Sequence, residues 1–151
     1  MRIMLRVAGV LIIGVAVLSA AQAQTGSAEQ ELFASVNRAR RAQGVPALKW
    51  NEALAVAAHR HAALMAQHGA AEHGFPGEPA LASRVTQAGA HFVWLSENVV
   101  QGSDVEAIQA EFLRSANHRA NMMDADMDSV GVGVVERGGQ LFAVEDFSKA
   151  K

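Results

Sequence analysis

The sequence predicts an α+β domain, and three observations predict it. Apolar residues at helical spacing come first along the chain, strand-type alternation closes it, and no strand–helix–strand alternation of a parallel sheet lies between. With 151 residues, 50% of them hydrophobic and 19% charged, there is enough chain for one core and too little for two. Thirteen basic against 15 acidic residues give a formal charge of −2 without any block of one sign, which excludes a nucleic-acid surface and an anionic-lipid anchor. The absence of cysteine excludes disulfides, a lipid-modified cysteine and a thiol nucleophile.

Residues 1–23 have the layout of a secretory signal. Arg2 and Arg6 form a basic start, residues 7–18 are apolar, and Ala21-Gln22-Ala23 is an A-x-A cleavage site. The apolar run falls short of the roughly 20 residues a bilayer requires, so no permanent membrane anchor is expected. Cleavage after Ala23 leaves residues 24–151 as a single domain of formal charge −4, secreted or periplasmic.

A first helix is expected over residues 28–43, with Leu32, Val36 and Ala39 on one side and Gly44 as its cap. After Pro46, Asn51 caps a second helix on which Leu54, Ala58, His61, Met65 and His68 share a face, ended by Gly69. Three glycines and Pro76 in residues 69–78 make a loop that presents His73. A short third helix is expected over 78–88, stopped by Gly89. Residues 92–100 read as an extended segment with the polar triplet Ser96-Glu97-Asn98 inside apolar surroundings. Ser103 or Asp104 caps a fourth helix carrying Val105, Ile108, Phe112 and Ser115 on one face, with His118 near its end. Residues 129–135 and 140–147 alternate around Arg137-Gly138-Gly139, a C-terminal hairpin.

An ionised Glu97 between Leu95 and Val99 is costly to bury alone, so it is expected to face His73, His118 or an arginine, as a catalytic group or as a satisfied ion pair with Arg84 or Arg119. Asn98 reads as structural, since its amide bonds both donors and acceptors. His61 reads as a core-edge histidine with one hydrogen-bonded nitrogen, and His59, His68 and His91 have no nameable partner. Ser115, three residues before His118, lacks the glycines of a nucleophile elbow.

Several pieces in this order resemble the CAP superfamily of cysteine-rich secretory proteins, antigen five and pathogenesis-related proteins, in its short bacterial form without cysteines. They are Asn37-x-x-Arg40, the stretch 54–66, His73 in its loop, Arg84 with Gly89, Ser96-Glu97-Asn98-Val99, Ser115-x-x-His118-Arg119-x-Asn121, Val130-Gly131-Val132-Gly133-Val134 and Glu145-Asp146-Phe147. The resemblance implies an α-β-α sandwich, a small antiparallel sheet between helices, with an open cleft lined by two histidines and two acidic residues, in which the histidines can hold a divalent metal. His73, Glu97 and His118 match three of those four positions; Ser115 stands at the fourth, with Glu111 one turn away. Arg84, Asn98, Ser115, Arg119 and Asn121 are then cleft or structural residues.

Two histidines suit zinc best but leave its shell short, so waters or Glu97 must complete it. No organic cofactor is implied. The missing carboxylate favours a monomeric binding module for a small apolar ligand, a cell-envelope component or another protein. A metal-assisted hydrolase using Glu97 and a small lipid or sterol binder are the alternatives.

Overall fold

A computed structural model describes the backbone of residues 11–151 and the side chains from residue 26 onward. The export signal expected over residues 1–23 therefore lies outside the described residues at its basic start and outside the described side chains throughout. Among the described residues no helix is long and apolar enough to cross a membrane.

The described elements are helices α1 (Leu11–Ala42), α2 (Glu52–His68), α3 (Leu81–Gln87), α4 (Val105–Arg114) and α5 (Ala116–Met123). Four strands join them: β1 (Lys49–Trp50), β2 (Phe92–Gly102), β3 (Ser129–Arg137) and β4 (Gln140–Ala150). The sheet runs β1-β3-β4-β2, with β2 at one edge. It is mixed rather than wholly antiparallel, because the two-residue β1 pairs parallel with β3. Nothing in the Pro46-containing connector marks so short a strand; Asn37 creates it by bonding both the N–H of Leu48 (2.8 Å) and its carbonyl (3.0 Å).

Helix α2 follows its sequence signals. The Asn51 side chain accepts from Leu54 N–H at 3.1 Å, and Gly69 ends the helix at φ 68°, a left-handed conformation that other residues rarely adopt. Helix α1 extends upstream of the predicted start, and α3 is shorter than predicted because Glu78 closes a turn onto Phe75 before Pro79. The predicted fourth helix is two helices. Ser115 takes an extended conformation (φ −73°, ψ 123°), ending α4 and capping α5, so it does not share the face of Val105, Ile108 and Phe112, and His118 lies in the first turn of α5.

The sheet is covered on both sides. Val130, Val132, Val134, Ala143 and Phe147 pack against Leu32 and Val36 of α1, Ile108 and Phe112 of α4, and Met122 of α5. Each fully buried side chain of this size contributes about 1.5–3 kcal/mol. The opposite face meets α2 through Val99, Phe142 and Val144 against Ala58, Ala62 and Met65. There β3 presents glycines: a Cβ on Gly131 would lie 2.1 Å from the Ala55 nitrogen, and one on Gly133 2.2 Å from the His59 nitrogen. The alternation Val-Gly-Val-Gly-Val thus puts branched side chains toward α1, α4 and α5 and bare backbone under α2.

Gly131→Ala is therefore expected to destabilise the protein by about 3 kcal/mol or more. Gly74→Ala, with open space around it, is expected to stay within about 0.5 kcal/mol of the wild type. Chemical denaturation of the two variants checks both values.

Candidate functional site

Alternation along β2 sends Glu97 and Asn98 to opposite faces of the sheet's edge. On the α2–α3 face, His73 Nδ1 lies 2.9 Å from one Glu97 oxygen, and Arg84 Nη2 donates to the other. Arg84 Nη1 donates to the His73 carbonyl at 3.1 Å and stands 3.4 Å from Glu78. Glu97 and Arg84 are buried, whereas the His73 side chain is 63% exposed and its Nε2 is directed away from this ion pair. Asp146 sits opposite Glu97 in the strand register and is fully buried. Burial, and then the charge of Glu97, push its carboxyl well above the usual range, against the opposing pull of Arg84.

On the other face, the Asn98 amide donates to Glu145 (3.1 Å) and to the His118 carbonyl (3.0 Å), and its oxygen accepts from Asn121 (2.9 Å). Asn121 also donates to the Glu97 carbonyl at 3.3 Å, tying α5 to the strand edge. Asn98 thereby links β2 to Glu145 of β4 and to α5. Burial pushes the Glu145 carboxyl up to about 8, with the Asn98 hydrogen bond only partly opposing it.

His118 belongs to this second layer. Its ring meets Phe112 edge-on at 5.3 Å, and its Nδ1 is buried with no partner among the described residues. Burial, and then the charge of His73, hold it below the usual histidine range, so it is neutral at pH 7. The electrostatic influence of His73 reaches His118 around the edge of β2, but among the described residues no hydrogen bond joins His118 to His73 or Glu97. The Ser115 hydroxyl accepts from His118 N–H at 3.4 Å as a helix cap and is not aligned as a nucleophile.

The structure thus gathers His73, Glu97 and Arg84 in one cluster and Asn98, Ser115, His118 and Asn121 in a second, back to back across one strand. Arg119 belongs to neither. It is exposed on α5, beside a groove lined by Ala39, Ala42, Val45, Leu113 and Met123, because Asn121 rather than Arg119 points from α5 to the strand. Among the described residues no three of His, Asp or Glu stand as a metal-binding group, so His73, Glu97 and His118 do not form one ligand cage. Both Glu97 oxygens are already engaged. Glu97 orients the His73 ring through its Nδ1, while His118 stands in the layer on the other side of β2.

Sequence reasoning missed the supports of this site. His61 is fully buried with both ring nitrogens bonded, to Glu78 (2.7 Å) and to the Glu72 carbonyl (2.8 Å), instead of one at the core edge. His59 has a partner in Glu29 at 2.7 Å. Glu78 carried no signal beyond its place before a proline. Consecutive acids at 145–146 in an alternating strand were a signal, since one of them must point into each layer.

An α-β-α sandwich with histidines and buried carboxyls around one sheet edge defines the class of the protein. The sequence profile of the cysteine-rich secretory protein family, CAP, matches residues 33–147, and the chain belongs to that family. No curated protein sequence matches it. Among solved structures it is similar to an extracellular protein containing an SCP domain from Bacillus anthracis, with 25% identity and a TM-score of 0.77, over 83% of this chain and 41% of that one. This chain thus spans less than half of that protein's length. It is also similar to an outer surface protein of Borrelia burgdorferi, with 18% identity and a TM-score of 0.77 over 84% and 96% of the two chains. A third is NaASP2, crystallised with Zn²⁺, at 15% identity and a TM-score of 0.57 over 82% and 80%. The likenesses below 25% identity concern the fold.

The buried acids make stability depend on pH. Glu145 is neutral in the fold but ionises near 4.5 in the unfolded chain, so stability is expected to fall as pH rises from about 4.5 to about 8 and to level off beyond. Glu145→Gln should leave stability at acidic pH unchanged and recover up to about 4–5 kcal/mol above pH 8. Denaturation midpoints of both proteins across this range check it.

Proposed function

We propose that this chain is an exported, non-enzymatic binding domain whose ligand engages the edge of β2, with a divalent cation held between His73 and His118. The observation that carries the reading is the engagement of Glu97. One oxygen is held by His73 and the other by Arg84, which leaves no free carboxylate to deprotonate a water. The position where the family pattern has a second acid is a helix-capping serine. What the cleft offers is ligation: the exposed His73 imidazole, oriented by a carboxylate, and the unpartnered buried nitrogen of a neutral His118. Export is supported by the layout of residues 1–23 and by structural relatives described as extracellular or outer surface proteins. A cell-envelope component is the ligand class consistent with that address.

A small lipid is the second reading, favoured by the apolar groove between α1, α4 and α5. Phe112 and Met122 do not line it, being fully buried core.

Calorimetry with Zn²⁺ tests the proposal. His73→Ala and His118→Ala are each expected to abolish the binding event, and Glu97→Gln to weaken it about 10- to 100-fold by freeing the His73 ring. Unchanged affinity in the double histidine variant would remove the cation from the site. On peptide, ester and cell-wall substrates no turnover is expected; turnover that Glu97→Gln abolishes overturns the non-enzymatic reading. Lipid recovered by extraction and mass spectrometry of the purified protein would favour the groove instead.

A further inference from the structure

Strand β2 is 11 residues long and has a neighbouring strand on one side only. In an antiparallel ladder the N–H and C=O of one residue point the same way, and those of the next residue point the opposite way. The Glu97 carbonyl points away from β4, since Asn121 of α5 bonds it at 3.3 Å. From Trp94 onward the pairing of β2 with β4 is regular. Val99 and Gln101, in step with Glu97, therefore turn both of their backbone groups to the same free edge. Asn121 occupies the carbonyl of Glu97, but among the described residues nothing bonds the outward groups of Val99 or Gln101.

Those groups line a groove of about 550 Å³, within the size range of ligand clefts. Ala107 and Ala110 of α4 stand on the side of the α1, α4 and α5 layer, and Ala71, from the loop that carries His73, stands on the α2 side. Gly102 lets α4 approach this closely, since a Cβ there would lie 2.9 Å from the Ile108 side chain. Val99 is only 6% exposed, and a sheltered backbone group without a partner is costly.

An open strand edge is completed by another backbone in extended form, which supplies a donor and an acceptor at the strand repeat. The walls of the groove decide which backbone fits. Alanines leave room for side chains that alternate to the two sides. The charged rim residues Glu111 and Arg114 are paired with each other, so nothing there selects a charged segment. A second copy of this chain does not fit, because its own edge is recessed between its own α4 and loop, and two recessed edges cannot meet.

We propose that the groove beside Val99 and Gln101 takes a short, uncharged, extended peptide as an added strand on β2. Its backbone pairs with the outward N–H and C=O of both residues, and its side chains alternate between Ala107 and Ala110 on one side and Ala71 on the other. The added strand ends where Asn121 takes the Glu97 carbonyl, about 7 Å along β2 from Val99. This inference names the ligand class for the edge of β2 and rests on the reading of that edge as the binding site, but not on the cation.

The probe is a heptapeptide selected on the immobilised full chain from a random display library and synthesised with capped ends. In the free protein the amides of Val99 and Gln101 are expected to exchange with deuterium about tenfold or more faster than those of Asn98 and Val100, which face β4. Saturation with the peptide should slow them by about tenfold or more. Methyl groups on the alternate peptide nitrogens that face β2 should weaken binding about 10- to 100-fold, and those on the intervening nitrogens far less. Ala110→Arg, on the exposed side of α4, fills the groove and should abolish peptide binding while leaving Zn²⁺ calorimetry unchanged; should it not fold, Ala107→Arg replaces it. A library that yields no binder, Val99 and Gln101 amides as protected as Val100 in the free protein, or a selected peptide indifferent to both the methyl groups and Ala110→Arg overturns the proposal. The Zn²⁺ titrations of the histidine variants are independent of these outcomes, so failure here is distinguishable from failure of the cation site.

Discussion

Two consecutive polar residues on an edge strand, Glu97 and Asn98, must each be satisfied from a different layer, and the arrangement of the molecule around β2 follows from that constraint. A strand directs neighbouring side chains to opposite faces, and neither a carboxylate nor an amide can be buried without partners except at a cost of several kcal/mol. Glu97 draws Arg84 of α3 and the His73 loop to one side; Asn98 draws α5 and Glu145 to the other. Because β2 has a neighbour only in β4, the two layers meet around its free edge, with His73 in one and His118 in the other.

Such an arrangement does not add stability cheaply. Desolvating Arg84, Glu97 and Glu78 costs much of what their attraction returns, and burial lessens the cost at Glu145 and Asp146 by pushing both carboxyls toward their neutral forms. The compensation lies elsewhere in the fold. Gly131 and Gly133 let α2 rest on the backbone of β3, and Arg40 donates to the carbonyls of Pro46, Met122, Asp124 and Met127, fastening α1 to the end of α5. These contacts hold the two helical layers at the distance the strand edge requires. The sequence pattern Asn37-x-x-Arg40 is thereby explained as packing chemistry rather than as part of the site.

Much of this was legible in the residues. Asn51 and Gly69 bound α2, the double glycine at 138–139 takes positive φ at both positions of the hairpin turn, and Glu97 needed a charged partner wherever it folded. The layered sandwich was legible only through the family pattern. The break at Ser115 was not, because a serine reads equally as one more position on a helix face and as the cap of a new helix. Strand β1 rests on an asparagine bonding backbone eleven residues away, which no local pattern announces. Arg84 and Arg119 were indistinguishable as partners for Glu97 until the direction of α5 was known. The contact between His61 and Glu78 joins a helix to a loop across seventeen residues, and an apolar helix face gave His61 the appearance of ordinary core.

That the two layers bring His73 and His118 to one cleft is most directly measured by following the His118 ring by NMR through its titration, in the wild type and in His73→Ala. The charge of His73 contributes to holding His118 below the usual histidine range, so its removal should shift the His118 titration upward. A His118 titration indifferent to the loss of His73 would place the two imidazoles in separate surroundings and contradict a shared cleft.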